Sequence, residues 1–123
     1  METRYLFKGK TICGDWVRGL LANNGDKWYI SNNAGRPFAF EIRPDTICQC
    51  TGLKDKIGKL IWENDIVVCR DFTEENYVIS WKQDEACFEY QQYGCSIMNF
   101  EQLSGCEVEV IGNKFDNPEL LEV

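Results

Sequence analysis

Residues 50 to 68, CTGLKDKIGKLIWENDIVV, constrain the fold of this chain more than any other stretch. They alternate extended arms with turn formers at intervals too short for a helix. Lys54, Asp55, Lys56, Ile57 and Gly58 predict a turn between two arms. Lys59 to Trp62 then leads into Glu63, Asn64 and Asp65, a tight corner, and Ile66 to Cys69 leaves it as an apolar strand. A segment that must reverse twice within twenty residues commits the chain to antiparallel β-structure.

The rest of the sequence agrees. Helical periodicity is nearly absent, and short aromatic or β-branched runs are punctuated by Gly, Asn and Asp. Residues 4 to 8 predict a strand ended by Gly9. Residues 15 to 21 predict a second, with Gly19 as a bulge or a close approach. Asn23, Asn24 and Gly25 signal a hairpin turn, and residues 27 to 31 pair back. A loop over 32 to 37 precedes strands at 38 to 42 and 46 to 50. Beyond the polar stretch 71 to 76, residues 77 to 81 and 86 to 90 predict a hairpin. Residues 99 to 103 are open to one helical turn. Residues 107 to 111 alternate as a last strand, and Pro118 limits any helix in the tail to a short one that starts at it. The expected core is Tyr5, Phe7, Trp16, Tyr29, Phe40, Ile61, Ile66, Val68, Val78, Trp81, Phe88, Val108 and Val110.

One domain of 123 residues is expected, with two lobes as a subdivision: 1–49, an N-terminal β-meander, and 50–123, a barrel-like β lobe. With 16 aromatic residues it can bury a core without staples. No run is long enough to span a membrane, and METRYLFKGK lacks the apolar region of a signal peptide. The expected setting is therefore the bacterial cytoplasm, where thiols stay reduced. The seven cysteines are odd in number, which argues against a complete disulfide framework. Cys48 and Cys50 would share one strand face. A structural zinc site wants four ligands, and no second pair and no histidine accompanies them, so packing is expected and no metal or cofactor.

The lack of histidine also removes Ser-His and Cys-His nucleophile pairs. No phosphate-binding glycine loop is present. Carboxylates are plentiful, and Glu63 with Asp65 form the best candidate pair, against a plainer reading as corner residues. No catalytic residue is assigned and no enzyme is expected.

Charge is divided. Residues 1 to 60 carry ten Lys and Arg against six Asp and Glu, whereas residues 61 to 123 carry three against fourteen. The net charge of −7 is thus a balance of +4 and −11. Such asymmetry points to a partner or to complementary halves. Arg4, Lys8, Trp16, Arg18, Lys27 and Trp28 form a candidate basic and aromatic face.

Three segments in order resemble one family, the YopX proteins of bacteriophages and prophages. They are FKGK followed by GDWVRG at 14 to 19, the central RPDTICQCTGLKDKIGKLIWENDIV, and the ending EVIGNKFDNPELLEV. The matching motif residues include Thr51, Gly52, Leu53, Lys54, Asp55, Gly58, Asn64, Asp65, Ile66, Val67, Gly112, Asn113 and Pro118. The family tends to place Gly at 48, Tyr at 50 and Gly at 64. Asn64 can hold the left-handed conformation of a corner glycine, so the corner survives. The resemblance implies a mostly β phage or prophage protein of unknown function and supplies no catalytic residues. By analogy of fold, the corner and DIVV strand also resemble the opening of small SH3-like barrels.

The function expected is a non-enzymatic binding or assembly module of phage or prophage origin, self-associating and engaging a host or phage protein, with no membrane contact. The alternative is a nucleic-acid-associated accessory protein that uses the basic face. A third possibility is an acidic decoy, residues 63 to 119, for a basic host protein.

Overall fold

The structure, a computed structural model, describes residues 6–31, 39–68, 76–83, 87–92, 95–99 and 108–121. Among these the chain is mostly β, with eleven strands in two antiparallel sheets and two short 3-10 turns. It divides into two compact units, Met1–Gly52 and Leu53–Val123.

In the first unit β1 (Phe7–Lys10), β2 (Trp16–Asn24), β3 (Lys27–Ser31) and β4 (Ala39–Ile42) form a meander, and β5 (Cys48–Lys54) pairs on the other side of β1. The meander coils on itself. A bridge joins Thr11 to Ile42, and the Arg43 N–H donates to the Lys10 carbonyl at 2.9 Å. Buried Thr46, in the 3-10 turn Pro44–Thr46, fixes this return: the Lys10 N–H donates to its Oγ1 (2.8 Å), which donates to the Arg43 carbonyl (2.7 Å).

Two glycines permit the coil. A Cβ on Gly9 would lie 2.3 Å from Ile42 Cγ2, and one on Gly19 would lie 2.1 Å from the Ser31 carbonyl oxygen. Gly19 is thus a close approach. Gly9 continues β1 rather than ending it. The hairpin turn is the two residues Gly25 and Asp26, with φ +69° at Gly25, while Asn23 and Asn24 belong to β2. Inside the coil lie Ile30 and Ile42. Tyr29, expected in the core, alternates onto the other face and is half-buried.

The second unit starts within β5, whose end turns into β6 (Leu60–Trp62). The corner follows, then β7 (Asp65–Val68), β8 (Asn76–Lys82), β9 (Cys87–Gln92), β10 (Cys95–Asn99) and β11 (Glu109–Asn113). Their order is β10-β9-β8-β7-β11. This sheet is open, with β10 and β11 as its ends, so the barrel expected for residues 50–123 is not what these strands form. Asn99 is strand rather than helical turn, and Asn76 opens β8 rather than closing a loop. The tail ends on the 3-10 turn Pro118–Leu121, as the proline predicts.

The core of this unit is Ile61, Val67, Tyr77, Ile79, Tyr90, Val108 and Val110, with Phe88 packed against it. Ile66 and Val68 are buried as well. Val78 points to the opposite face from Tyr77 and Ile79 and is only half-buried. Phe40 and Trp81, expected inside, remain 40% and 39% exposed. Both lie on the correct face of their strands but near the ends, where neighbours run out. Trp81 makes an edge-on contact with its cross-strand partner Phe88, centroids 5.0 Å apart. Arg4, Tyr5, the loop 32–37, residues 71–75, Ala86, residues 100–103 and Glu107 lie outside the described residues.

Candidate functional site

One motif residue of the second unit, Asp55, organises the β5–β6 turn. It sits at the β5–β6 turn, 5% exposed, with its carboxylate turned inward. Its Oδ1 accepts the N–H groups of Ile57 (3.0 Å) and Lys59 (2.8 Å), and its Oδ2 accepts that of Val110 (3.0 Å). The Asp55 N–H donates to the Lys59 carbonyl, the Gly58 N–H to the Asp55 carbonyl, and the Lys56 N–H to the Val108 carbonyl. One side chain thus closes the turn and ties it to β11, some fifty residues on. Burial pushes the Asp55 carboxyl up, but the N–H donors of Val110, Lys59 and Ile57, aided by the Lys59 charge, outweigh it and hold the group below its ordinary value of 3.8.

Gly58 takes φ +88° beside it, and Gly52 takes φ +83° where β5 bends into the arm. Thr51 lies on the same strand, half-buried, and Leu53 and Lys54 are exposed.

The corner behaves as the sequence predicts. Asn64 has φ +72°, the one non-glycine residue with positive φ among those described. Its N–H donates to the Ile79 carbonyl (2.7 Å), and its carbonyl accepts from the Lys114 N–H (3.0 Å). Asp65 is buried and its Oδ2 accepts the Trp62 N–H at 2.8 Å, while Glu63 is half-buried. Asp65 therefore closes the corner as a turn former, whereas Glu63, solvated in the plainer reading, is half-buried, and Ile66 and Val67 carry the chain into the core.

The tail is a third device. Asn113 Oδ1 accepts the N–H groups of Phe115 (3.0 Å) and Asp116 (2.9 Å), and Asn117 Oδ1 accepts that of Asn113 (3.2 Å). A Cβ on Gly112 would lie 2.6 Å from that same Asn117 oxygen. Asn117 carries this close packing and was not singled out from sequence. The signal was its place before Pro118, at the mouth of the closing turn.

The candidate basic face is assembled in part. Lys8 lies directly opposite Arg18 and Lys10 opposite Trp16, so these four side chains share one face of β1–β2. Lys8 Nζ and Lys10 Nζ stand 4.8 and 5.4 Å from the Trp16 ring centroid. Lys27 alternates onto that face but about 20 Å further along β2–β3, at 3.3 Å per residue. It stands 3.9 Å from Glu41, an exposed pair of little energetic weight. Trp28 pairs with Asn23 and Ile42 and points to the opposite face. Arg4 lies outside the described residues. The six-residue face is therefore not one surface, and Lys10, not named for it, belongs to the part that forms.

Cys48 and Cys50 are buried, and the Cys48 thiol donates to the Thr46 carbonyl at 3.3 Å. Among the described residues no three Cys, Asp or Glu side chains group as a metal site, and no helix is long and apolar enough to cross a membrane.

A family model described as "YopX protein" matches residues 7–122. The chain belongs to the YopX family. The match takes in the Asp55 turn, the Asn64 corner and the Asn113 tail together. The crystal structure of protein EF1440 from Enterococcus faecalis is similar, with a TM-score of 0.57 and 24% identity over 96% of this chain and 97% of that one. At that identity the likeness shows the fold alone. No protein of curated function matches the chain.

Proposed function

We propose that this YopX-family chain is a non-enzymatic assembly module that associates with copies of itself and with a host or phage protein. The observation that carries the reading is the division of charge between the units. Residues 1–52 hold seven Lys and Arg against five Asp and Glu, and residues 53–123 hold six against fifteen. A chain with balances of +2 and −9 is its own electrostatic complement. Among the described residues β10 is an end of its sheet, and such an end offers backbone groups for further pairing. The family motif residues support a non-catalytic role, because Asp55, Asp65, Asn64 and Asn113 serve turns and strand ends. Phage or prophage origin and a place in the bacterial cytoplasm complete the reading. The test is sedimentation equilibrium at micromolar concentration: the mass exceeds that of a monomer in low salt and falls as salt screens the charges. A monomer mass in low salt overturns the proposal.

A second reading, association with nucleic acid, draws on Lys8 opposite Arg18 beside Lys10. It ranks second because the Trp16 ring is already approached by two ammonium groups of its own chain. Salt-dependent binding of single-stranded DNA, weakened by Arg18→Ala, would support it; no binding in low salt removes it.

A further inference from the structure

One face of the first unit carries its cations in rows. Directly paired residues share a face, so Lys8 stands beside Arg18, and Lys10 beside Trp16, on the same side of β1–β2. Two residues along β2 separate the rows, about 7 Å at the usual rise of a strand. The Lys8 and Lys10 ammonium groups stand 4.8 and 5.4 Å from the Trp16 ring centroid, which gathers them over the strand pair. Arg18 is exposed and makes no ion pair among the described residues.

The same face then changes character. Beyond Arg18 come Leu20, 39% exposed, and exposed Ala22. Tyr29 lies opposite Ala22 and has Glu41 on its other side. Towards β5 the patch ends at Cys48, which is opposite Lys8 and 1% exposed. The result is a bounded surface: two cationic rows followed by an aliphatic one.

These limits choose between anionic partners. A phosphate backbone followed along β2 would leave the cations for Leu20 and Ala22 and then approach Glu41. Its bases would find the Trp16 ring engaged by two ammonium groups rather than open for stacking. A protein segment fits the rows better. In an extended segment every second side chain falls on one face, again about 7 Å apart, so two acidic residues and a following apolar one meet the three rows in register. The net charge of −7 does not forbid this, because at about 0.1 M salt charges more than some 10 Å away are largely screened and the local cations govern the contact.

We propose that the β1–β2 face docks an extended acidic segment of a partner protein, its carboxylates on Lys8, Lys10 and Arg18 and an apolar side chain on Leu20. The proposal rests on the partner-protein part of the reading above, to which it gives a surface and a chemistry, and it does not need self-association. Opposite charge supplies the specificity, as in other complementary interfaces.

A fluorescein-labelled peptide with Glu, Glu and Leu at alternate positions, separated by Ser, tests this by fluorescence anisotropy with the full chain at about 0.1 M salt. The parent is expected to bind it and to lose affinity about tenfold at roughly 0.5 M salt. Arg18→Glu is expected to weaken binding about tenfold, and Leu20→Ser about threefold. Lys56→Glu makes the same change of charge on the β5–β6 turn and should leave the affinity within about twofold. Thermal unfolding close to that of the parent shows that the variants are folded, and Arg18→Gln serves if Arg18→Glu is not. No binding of the peptide at the lower salt overturns the proposal. So does an equal loss from Lys56→Glu, which would mean that only net charge is felt. A labelled thymidine strand of about twelve nucleotides that binds more tightly than the peptide, and is weakened by Arg18→Glu, assigns the face to nucleic acid and overturns the proposal as well. Sedimentation of the same samples keeps the two readings apart: an oligomer that ignores the peptide removes this proposal alone, and a monomer that binds it removes self-association alone.

Discussion

The two units lean on different means to reach tight antiparallel geometry, although Thr46 in the first and Gly112 in the second each borrow the other's. In the first, the shape depends on side chains that are missing. Gly9 lets Ile42 settle on β1, and Gly19 lets the Ser31 carbonyl approach β2, so the meander coils until Thr11 meets Ile42. In the second, it depends on polar side chains that are present at the reversals, Asp55 and Asp65 buried and the asparagines half-buried. Asp55, Asp65, Asn113 and Asn117 each satisfy backbone N–H groups at a reversal, and Asn64 holds a positive φ. Close backbone packing tolerates no added atom, whereas a capped turn tolerates shape changes but not the loss of an acceptor. The two units should therefore fail differently under mutation.

The largest effect is expected at Gly19→Ala. The new Cβ would lie 2.1 Å from a backbone oxygen, which cannot move like the end of a flexible side chain. A loss of about 3 kcal/mol, independent of pH, is expected from overpacking of this kind. Urea unfolding at pH 7 and pH 4 measures it, and a loss that changes with pH would blur the contrast between units.

Asp55→Ala should cost about 2–3 kcal/mol, because buried N–H groups lose a charged acceptor. This loss should depend on pH. The folded carboxyl lies below its ordinary value, so its contribution is complete above the ordinary carboxylate range and fades as pH falls through the lowered value. The gap between parent and variant in urea should narrow on acidification below about pH 4, where unfolded aspartates protonate. A gap constant down to pH 2 would mean that ionised Asp55 does not hold the turn.

Asn64→Val is expected to cost about 1 kcal/mol or more, from a β-branched residue at positive φ, while Asn64→Gly should be neutral or slightly stabilising. Equal stabilities would remove the conformational role of Asn64. Smallest of all, Ile57→Ser should shift stability by no more than about 0.5 kcal/mol, as exposed substitutions do, since the backbone N–H that bonds to Asp55 is kept. Thermal melts separate these cases.

Much of this fold was legible in the sequence, and the reasons differ by residue. The strand at Lys27–Ser31, the reversal at Asp55–Gly58 and the left-handed Asn64 are local events, set by residue types that allow few other conformations. Burial was harder to read. Tyr29 was expected in the core, but alternation sends Ile30 inward and Tyr29 to the other face. Phe40 and Trp81 have the right parity, but distance from a strand's end is a tertiary property. The barrel expected for residues 50–123 rested on the local likeness of one corner, and strand order is not written in a corner. The basic face failed for a related reason: Lys27 and Trp28 are adjacent in sequence and therefore on opposite faces of a strand. That Asp55 belongs to the motif was legible; that its second oxygen reaches Val110 was not, because the contact spans 55 residues.

A direct NMR titration of the Asp55 carboxyl tests this account most sharply. A structural acceptor of three backbone N–H groups must titrate below the ordinary value of 3.8, with the Ile57, Lys59 and Val110 amide resonances moving together as it protonates. A midpoint above that value, or amides that ignore the titration, would contradict it.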